Sequence, residues 1–187
     1  MAEPALETGR LVLRLPEPGD LGWQQRWLNT KTVMRHLGGV RLPEEMEPAF
    51  SANAAAMAAG EPGFWTVVLK DGGEPIGKCG LAPITAEDGP TVLRGAVQVG
   101  WSLAEPFWGR GYAAEAARAA IGHAFAGRGL DTLWAQTSDS NAASTALMHR
   151  LGFERCKQYD YVDPAYPPAD NPTTIYRMTR PQWQSQA

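Results

Sequence analysis

The run Trp108-Gly109-Arg110-Gly111-Tyr112-Ala113 has the residue types of an anion cradle. Glycines let a backbone come close to a ligand, and a helix that begins beside them points its first free N–H groups outward. The helix dipole adds partial positive charge at that end, and Arg110 adds a whole one, which together suit a phosphate. Gly109, Gly111 and Ala114 also satisfy the loose dinucleotide spacing G-x-G-x-x-G/A, with Asp131 about 20 residues beyond. The context disfavours a dinucleotide. Ala104–Phe107 separate the turn from the strand-like segment before it, whereas that fingerprint places its first glycine at the strand's end. Asp131 precedes the next strand-like segment instead of ending it. The plain alternative to a phosphate site is a helix start whose glycines serve packing alone.

Other chemistries find less support. His36, His123 and His149 lie far apart, with no Cys or carboxylate at ligand spacing, so no metal site is expected. The chain has no G-x-S-x-G nucleophile elbow and no G-x-x-x-x-G-K-[ST] phosphate loop. Cys79 and Cys156 are the only cysteines and read as reduced apolar fillers, which fits a reducing cytoplasm.

The elements that must position the turn can be read from the flanking text. "RLVLRLP" alternates apolar and basic residues and predicts a first strand, ended by Pro16. Asp20 is placed to cap a following helix whose Leu21, Trp27 and Leu28 face the core. "LPEEMEPAFSANAAAMAAG" predicts further helix, with Pro48 marking a fresh start and Gly60 the end. "FWTVVLKDGGEPIGKCGLAPI" predicts two strands around a tight turn, and "TVLRGAVQVGWSL" one longer strand. The alanine-rich helix after the turn carries Ala113, Ala117, Ala120 and Ala124 on one face. "TLWAQTS" then reads as a buried strand, and "SNAASTALMHRLGF" as a short helix capped by Ser140 or Asn141 and stopped at Gly152. A strand near "ERCKQYDYV", a Pro-rich loop and a last strand "TTIYRMT" close the chain. The expected class is α/β (α+β): one domain over residues 1–187, built on a mixed, mostly antiparallel sheet.

A chain of 187 residues can bury a sizeable core. Its net charge of −3, with both signs interspersed, offers no basic block for nucleic acid. No apolar run is long enough to cross a bilayer, and the first residues lack a signal-peptide profile. A cytoplasmic protein is expected, with no nucleic-acid or membrane partner, as a monomer or homodimer.

"VQVGWSLAEPFWGRGYAAEAARAAIGHAF" resembles the acetyl-CoA-binding core of the GCN5-related N-acetyltransferases (the GNAT family). Their signature R/Q-x-x-G-x-G/A is met by Trp108–Ala113, with Trp108 standing in for the Arg or Gln. The form W-G-[KR]-G-Y-A is similar to the branch of ribosomal-protein N-terminal acetyltransferases. "LETGRLVLRLPEPGD", "SDSNAASTALMHRLGF" and "IYRMTRPQW" resemble that branch's opening strand, its N-x-x-S…L-G-F helix and its closing strand. The resemblance spans nearly the whole chain.

It implies a sheet splayed between two parallel central strands, "QVGWSL" and "LWAQTS", with helices on both faces and acetyl-CoA as cosubstrate. The backbone of Trp101, Ser102 and Leu103 would bond the pantetheine amides. The backbone from Gly109 through Arg110, Gly111, Tyr112 and Ala113 to Ala114, next to Trp108, would hold the pyrophosphate. Asn141 would bond the pantetheine arm, a role compatible with capping a helix. The implied reaction is attack of a neutral amine on the thioester, with a backbone N–H of "GWSL" stabilising the oxyanion. Ser144 is the candidate acid for the departing thiolate, with Tyr112 and the tyrosines near 160 as rivals.

Many relatives carry a Glu base where this chain has Gln98, and an amide cannot take a proton. Neutralising a lysine-like amine at pH 7 costs roughly 4–5 kcal/mol, an α-amine about 1 kcal/mol. The site therefore suits a protein or peptide α-amino group or a weakly basic small amine, unless Asp139, His149 or water serves as base. The acceptor pocket is expected to draw on residues 23–39, the loop 163–172 and the strand around Gln98. A module that holds acyl-CoA without transferring it is the alternative that Gln98 keeps open.

Overall fold

The computed structural model describes residues 5–85 and 87–186. Eight strands and five α-helices form over them. The strands are β1 (Leu6–Glu7), β2 (Leu11–Arg14), β3 (Phe64–Leu69), β4 (Pro75–Pro83), β5 (Val97–Leu103), β6 (Thr132–Ser138), β7 (Glu154–Arg155) and β8 (Thr173–Thr179). The helices are α1 (Pro18–Trp27), α2 (Pro43–Ala58), α3 (Tyr112–Gly122), α4 (Ala142–Arg150) and α5 (Arg180–Gln184). The sheet is mixed, in the order β1-β2-β3-β4-β5-β6-β8-β7, and its parallel pair is β5 with β6, in register at Gln98 and Trp134. The chain packs as two compact units, one made of the chain up to Ala82 with Gly100–Ala120, the other of Pro83–Val99 with the chain from Ile121 onward.

In the first unit the alternation of β2 buries Leu11 and Leu13 completely. β2 pairs antiparallel with β3, and β3 with β4, through Trp65, Val67, Ile76 and Cys79, all fully buried. β4 continues onto β5, where Ala104 N–H donates to the Ile76 carbonyl at 3.0 Å. Gly77 fits there because any Cβ would fall within 2.9 Å of the Leu103 Cα.

Several expectations for this region change. Asp20 is not the N-cap of α1 but sits one turn in, where its Oδ2 accepts the Glu17 N–H at 2.8 Å. The same carboxylate takes two hydrogen bonds from Arg14 and one from the Thr66 hydroxyl, so it ties three elements together. Leu28 is buried as expected, but Trp27 is 43% exposed. Pro48 lies inside a single helix, because only the Glu44 carbonyl loses its partner there and good helix formers follow.

In the second unit β6 and β8 pair antiparallel along their whole length, from Thr132–Thr179 to Ser138–Thr173. Leu133, Ala135, Ile175 and Met178 make this pair the centre of that unit's core. Thr91–Leu93 form a 3-10 turn rather than strand, closed by Arg94 N–H to the Thr91 carbonyl, and β5 starts only at Val97. The strand expected near "ERCKQYDYV" shrinks to β7, followed by a 3-10 turn at Lys157–Tyr159 and one bridge from Tyr161 to Thr173. Both cysteines are buried and free, and burial pushes the Cys79 thiol up to about 12. No helix among the described residues is long and apolar enough to cross a membrane.

Candidate functional site

The glycine turn lies wholly in the first unit. Gly109 and Gly111 have φ of +72° and +80°, a backbone region that costs an L side chain roughly 1–2 kcal/mol. A Cβ on Gly109 would meet nothing within 4 Å, so packing does not demand a glycine there. The Glu115 N–H closes on the Gly111 carbonyl at 3.1 Å. The amides of Tyr112, Ala113 and Ala114 thus precede the first turn's bonding and point out of the helix end. Arg110 is exposed beside them.

Trp108, which replaces the signature's Arg or Gln, has a structural task. Its Nε1–H donates to the Leu103 carbonyl at 2.7 Å and so fixes the turn to the end of β5. Trp101 is half-buried, and Ser102 and Leu103 are buried. In β5 the strand period puts Gln98, Gly100 and Ser102 on one face.

A cluster of three residues, Arg10, Glu115 and Thr8, escaped the sequence reading. Arg10 donates from its backbone N–H and its Nε to Glu115, at 2.8 and 2.7 Å, and from Nη1 to the Arg110 carbonyl at 3.0 Å. Its guanidinium also lies 4.4 Å from the centre of the Tyr112 ring. The Thr8 hydroxyl completes the cluster by donating to Glu115 at 2.6 Å. Burial pushes Glu115 up, but these hydrogen bonds outweigh it and hold the carboxyl below its ordinary range. The cluster therefore clamps the turn from outside, beside an open depression of about 620 Å³ lined by Arg10, Gly111, Ala114 and Arg118. No local signal announces it, because Arg10 and Glu115 are 105 residues apart in sequence.

The second unit holds the other candidates. Asn141 caps α4, its Oδ1 accepting the Ser144 N–H at 3.2 Å. That leaves the Asn141 Nδ2 group available to donate elsewhere. Ser144 is half-buried in the first turn of α4. Asp139 and His149 are exposed, and His149 packs edge-on against the Tyr176 ring at 5.5 Å. The Tyr161 hydroxyl donates to Gln136 at 3.3 Å, and burial with nearby Asp163 pushes its phenol up to about 12. The Tyr159 ring meets Trp134 edge-on. Among the described residues no group of three His, Cys, Asp or Glu side chains could hold a metal ion.

A glycine turn at a helix start, led by a strand, has the backbone to receive an anion, and comparison with known proteins gives the family. Residues 10–154 match the acetyltransferase (GNAT) domain family, and the chain belongs to it. It is 31% identical to the FsC-acetyl coenzyme A-N(2)-transacetylase of Aspergillus fumigatus, over 97% of this chain and 79% of that protein. An acetyltransferase structure from Agrobacterium tumefaciens shares 29% identity and a TM-score of 0.75, covering 95% of both chains. The RimL ribosomal L7/L12 alpha-N-protein acetyltransferase, solved with coenzyme A, shares the fold at 19% identity and a TM-score of 0.73, covering 94% of this chain and 98% of that one. As a GNAT acetyltransferase, the chain is assigned acetyl transfer from acetyl-CoA in general terms.

Proposed function

We propose that this protein transfers the acetyl group of acetyl-CoA to a primary amine of low basicity, an α-amino group above all. The carrying observation is the Gly109–Ala114 turn, with two left-handed glycines and outward amides. The Aspergillus fumigatus relative is named for transfer to an N(2) nitrogen, and RimL for an alpha-N acceptor. Both names support a nitrogen acceptor, and Gln98 supports one that needs no strong base.

In this reading the amides from Gly109 to Ala114, with Arg110, hold the pyrophosphate. The backbone of Trp101, Ser102 and Leu103 bonds the pantetheine amides, and Asn141 donates its spare N–H to the same arm. The neutral amine nitrogen forms a bond to the thioester carbonyl carbon as the carbon–sulfur bond breaks. The amine gives up a proton to water, and water returns one to Ser144 as the serine hydroxyl protonates the leaving thiolate. Tyr112 is the weaker candidate for that role because its ring is engaged by Arg10.

Ser144→Ala is expected to lower kcat roughly 10- to 100-fold while leaving the KM for acetyl-CoA nearly unchanged. Steady-state thiol release checks this, and an unchanged kcat removes Ser144 from the chemistry. Gln98 also favours a second reading, a module that binds acyl-CoA without turnover. That reading predicts tight CoA binding and no transfer to any amine.

A further inference from the structure

Lys78 is a partly buried lysine that the acetyl-transfer chemistry does not use. It sits on β4, where Gly77 lies against Leu103 and Ile76 bonds Ala104, so the antiparallel register places Lys78 across from Ser102. Thr66 is its partner on the other side, so Thr66, Lys78 and Ser102 form one cross-strand row. The next row is Phe64, Gly80 and Gly100, in which the Phe64 ring lies over Gly100, 3.1 Å from where a Cβ would stand. The Lys78 Nζ rests 5.5 Å from the centre of that ring.

No carboxylate pairs with Lys78 among the described residues. The carboxylate on this face, Asp20, is committed to Arg14, Glu17 and Thr66. The charge that bears on Lys78 most is another cation, Arg41, and burial with Arg41 holds the ammonium below the ordinary lysine range. A desolvated ammonium with no acid to neutralise it costs stability in the free protein. An arriving anion would remove that cost.

We propose that Lys78 recognises a carboxylate on the acceptor, so that the substrate is an amine that also carries a carboxylate, as a short peptide does. The inference rests on the acetyl-transfer reading above. The cofactor's phosphates are a poor fit for this charge. Their cradle starts at Gly109, past the end of β5, whereas Lys78 stands beside Ser102, which is still within β5. Ser102 belongs to the stretch proposed to carry the pantetheine arm, so an anion held at Lys78 would be bound apart from the pyrophosphate.

The test uses the whole protein, a panel of dipeptides and the matching dipeptide amides. The wild type is expected to turn over the dipeptides with kcat/KM at least about 30-fold above the amides, as fits a desolvated charge pair. Lys78→Met should raise the KM of the dipeptides until the preference is gone, with the KM for acetyl-CoA unmoved and the melting temperature equal or higher. Lys78→Arg should restore part of the preference. Equal turnover of dipeptides and amides by the wild type overturns the proposal, as does a Lys78→Met loss shared by both series, which would mark a structural or proton-transfer role.

A melting-temperature titration with N-acetyl dipeptides separates this claim from the enzymatic one. If neither series is turned over, the anion site is still decided by whether these probes stabilise the wild type and not Lys78→Met. The absence of such a shift overturns the anion site.

Discussion

Gly111→Ala is expected to raise the KM for acetyl-CoA about 100-fold. Gly111 holds a φ of +80°, so an alanine strains the turn and shifts the amides of Tyr112–Ala114 that follow it. A charge-assisted hydrogen bond is worth about 1.5–3 kcal/mol, so losing one or two to the pyrophosphate removes about 3 kcal/mol, close to two decades in affinity. The native cost is smaller. An alanine at positive φ costs roughly 1–2 kcal/mol, which in a chain of this size lowers the melting temperature by roughly 2–8 °C. The Arg10 Nη2 that a Cβ would meet at 3.5 Å is the end of a long side chain and can yield. Isothermal titration with acetyl-CoA and a thermal melt separate the two effects. A melting loss without a binding loss would show that the glycine serves only the turn.

The second large effect is on stability. Asp20→Ala is expected to cost about 3 kcal/mol and to lower the melting temperature by roughly 6–12 °C. The Asp20 side chain is 5% exposed and carries the hydrogen bonds of Arg14, Glu17 N–H and Thr66. Its removal leaves the Arg14 guanidinium only the Leu15 carbonyl and Glu17, and leaves a buried hydroxyl and an amide unpaired. Arg14 is itself 26% exposed, so part of its charge can turn to water, which keeps the cost at the low end for a broken buried pair.

The pH dependence follows from the same contacts. Burial alone would push Asp20 up, but the Arg14, Glu17 and Thr66 hydrogen bonds hold its carboxyl below the ordinary range. The folded state therefore binds the proton less readily than the unfolded one. The stabilisation is fully present above the unfolded value of about 3.9 and is lost as pH falls through the lower folded value. The gap in melting temperature between wild type and Asp20→Ala should hold at neutral pH and narrow in acid. A gap that widens on acidification contradicts this assignment.

What the sequence made legible were features with local causes. Asn141 before Ala142 and Gly152 after Leu151 bound α4 because a cap and a stop act within a few residues. The glycines around Arg110 announce a turn for the same reason. β2 was legible from its alternation, and β6 from its unbroken apolar core. What escaped depends on partners distant in the chain. The Arg10–Glu115 clamp, the use of Asp20 as a junction and the exposed side of Trp27 are set by packing between elements. Pro48 misled because a proline inside a helix is costly but survivable when its neighbours favour the helix. The start of β5 misled because Thr91–Leu93 close a turn among apolar residues that read equally well as strand. Lys78 gave no signal at all, since only the fold shows that no acid meets it.

The central claim is acetyl transfer from acetyl-CoA to an amine. Its most direct measurement is thiol release with acetyl-CoA and a panel of α-amines and lysine-like amines, with mass spectrometry of the acceptors. The account predicts release above background, an acetyl group on the acceptor nitrogen, and faster turnover of α-amines than of lysine-like amines near neutral pH. Coenzyme A binding with no acetylated amine anywhere in the panel would contradict it.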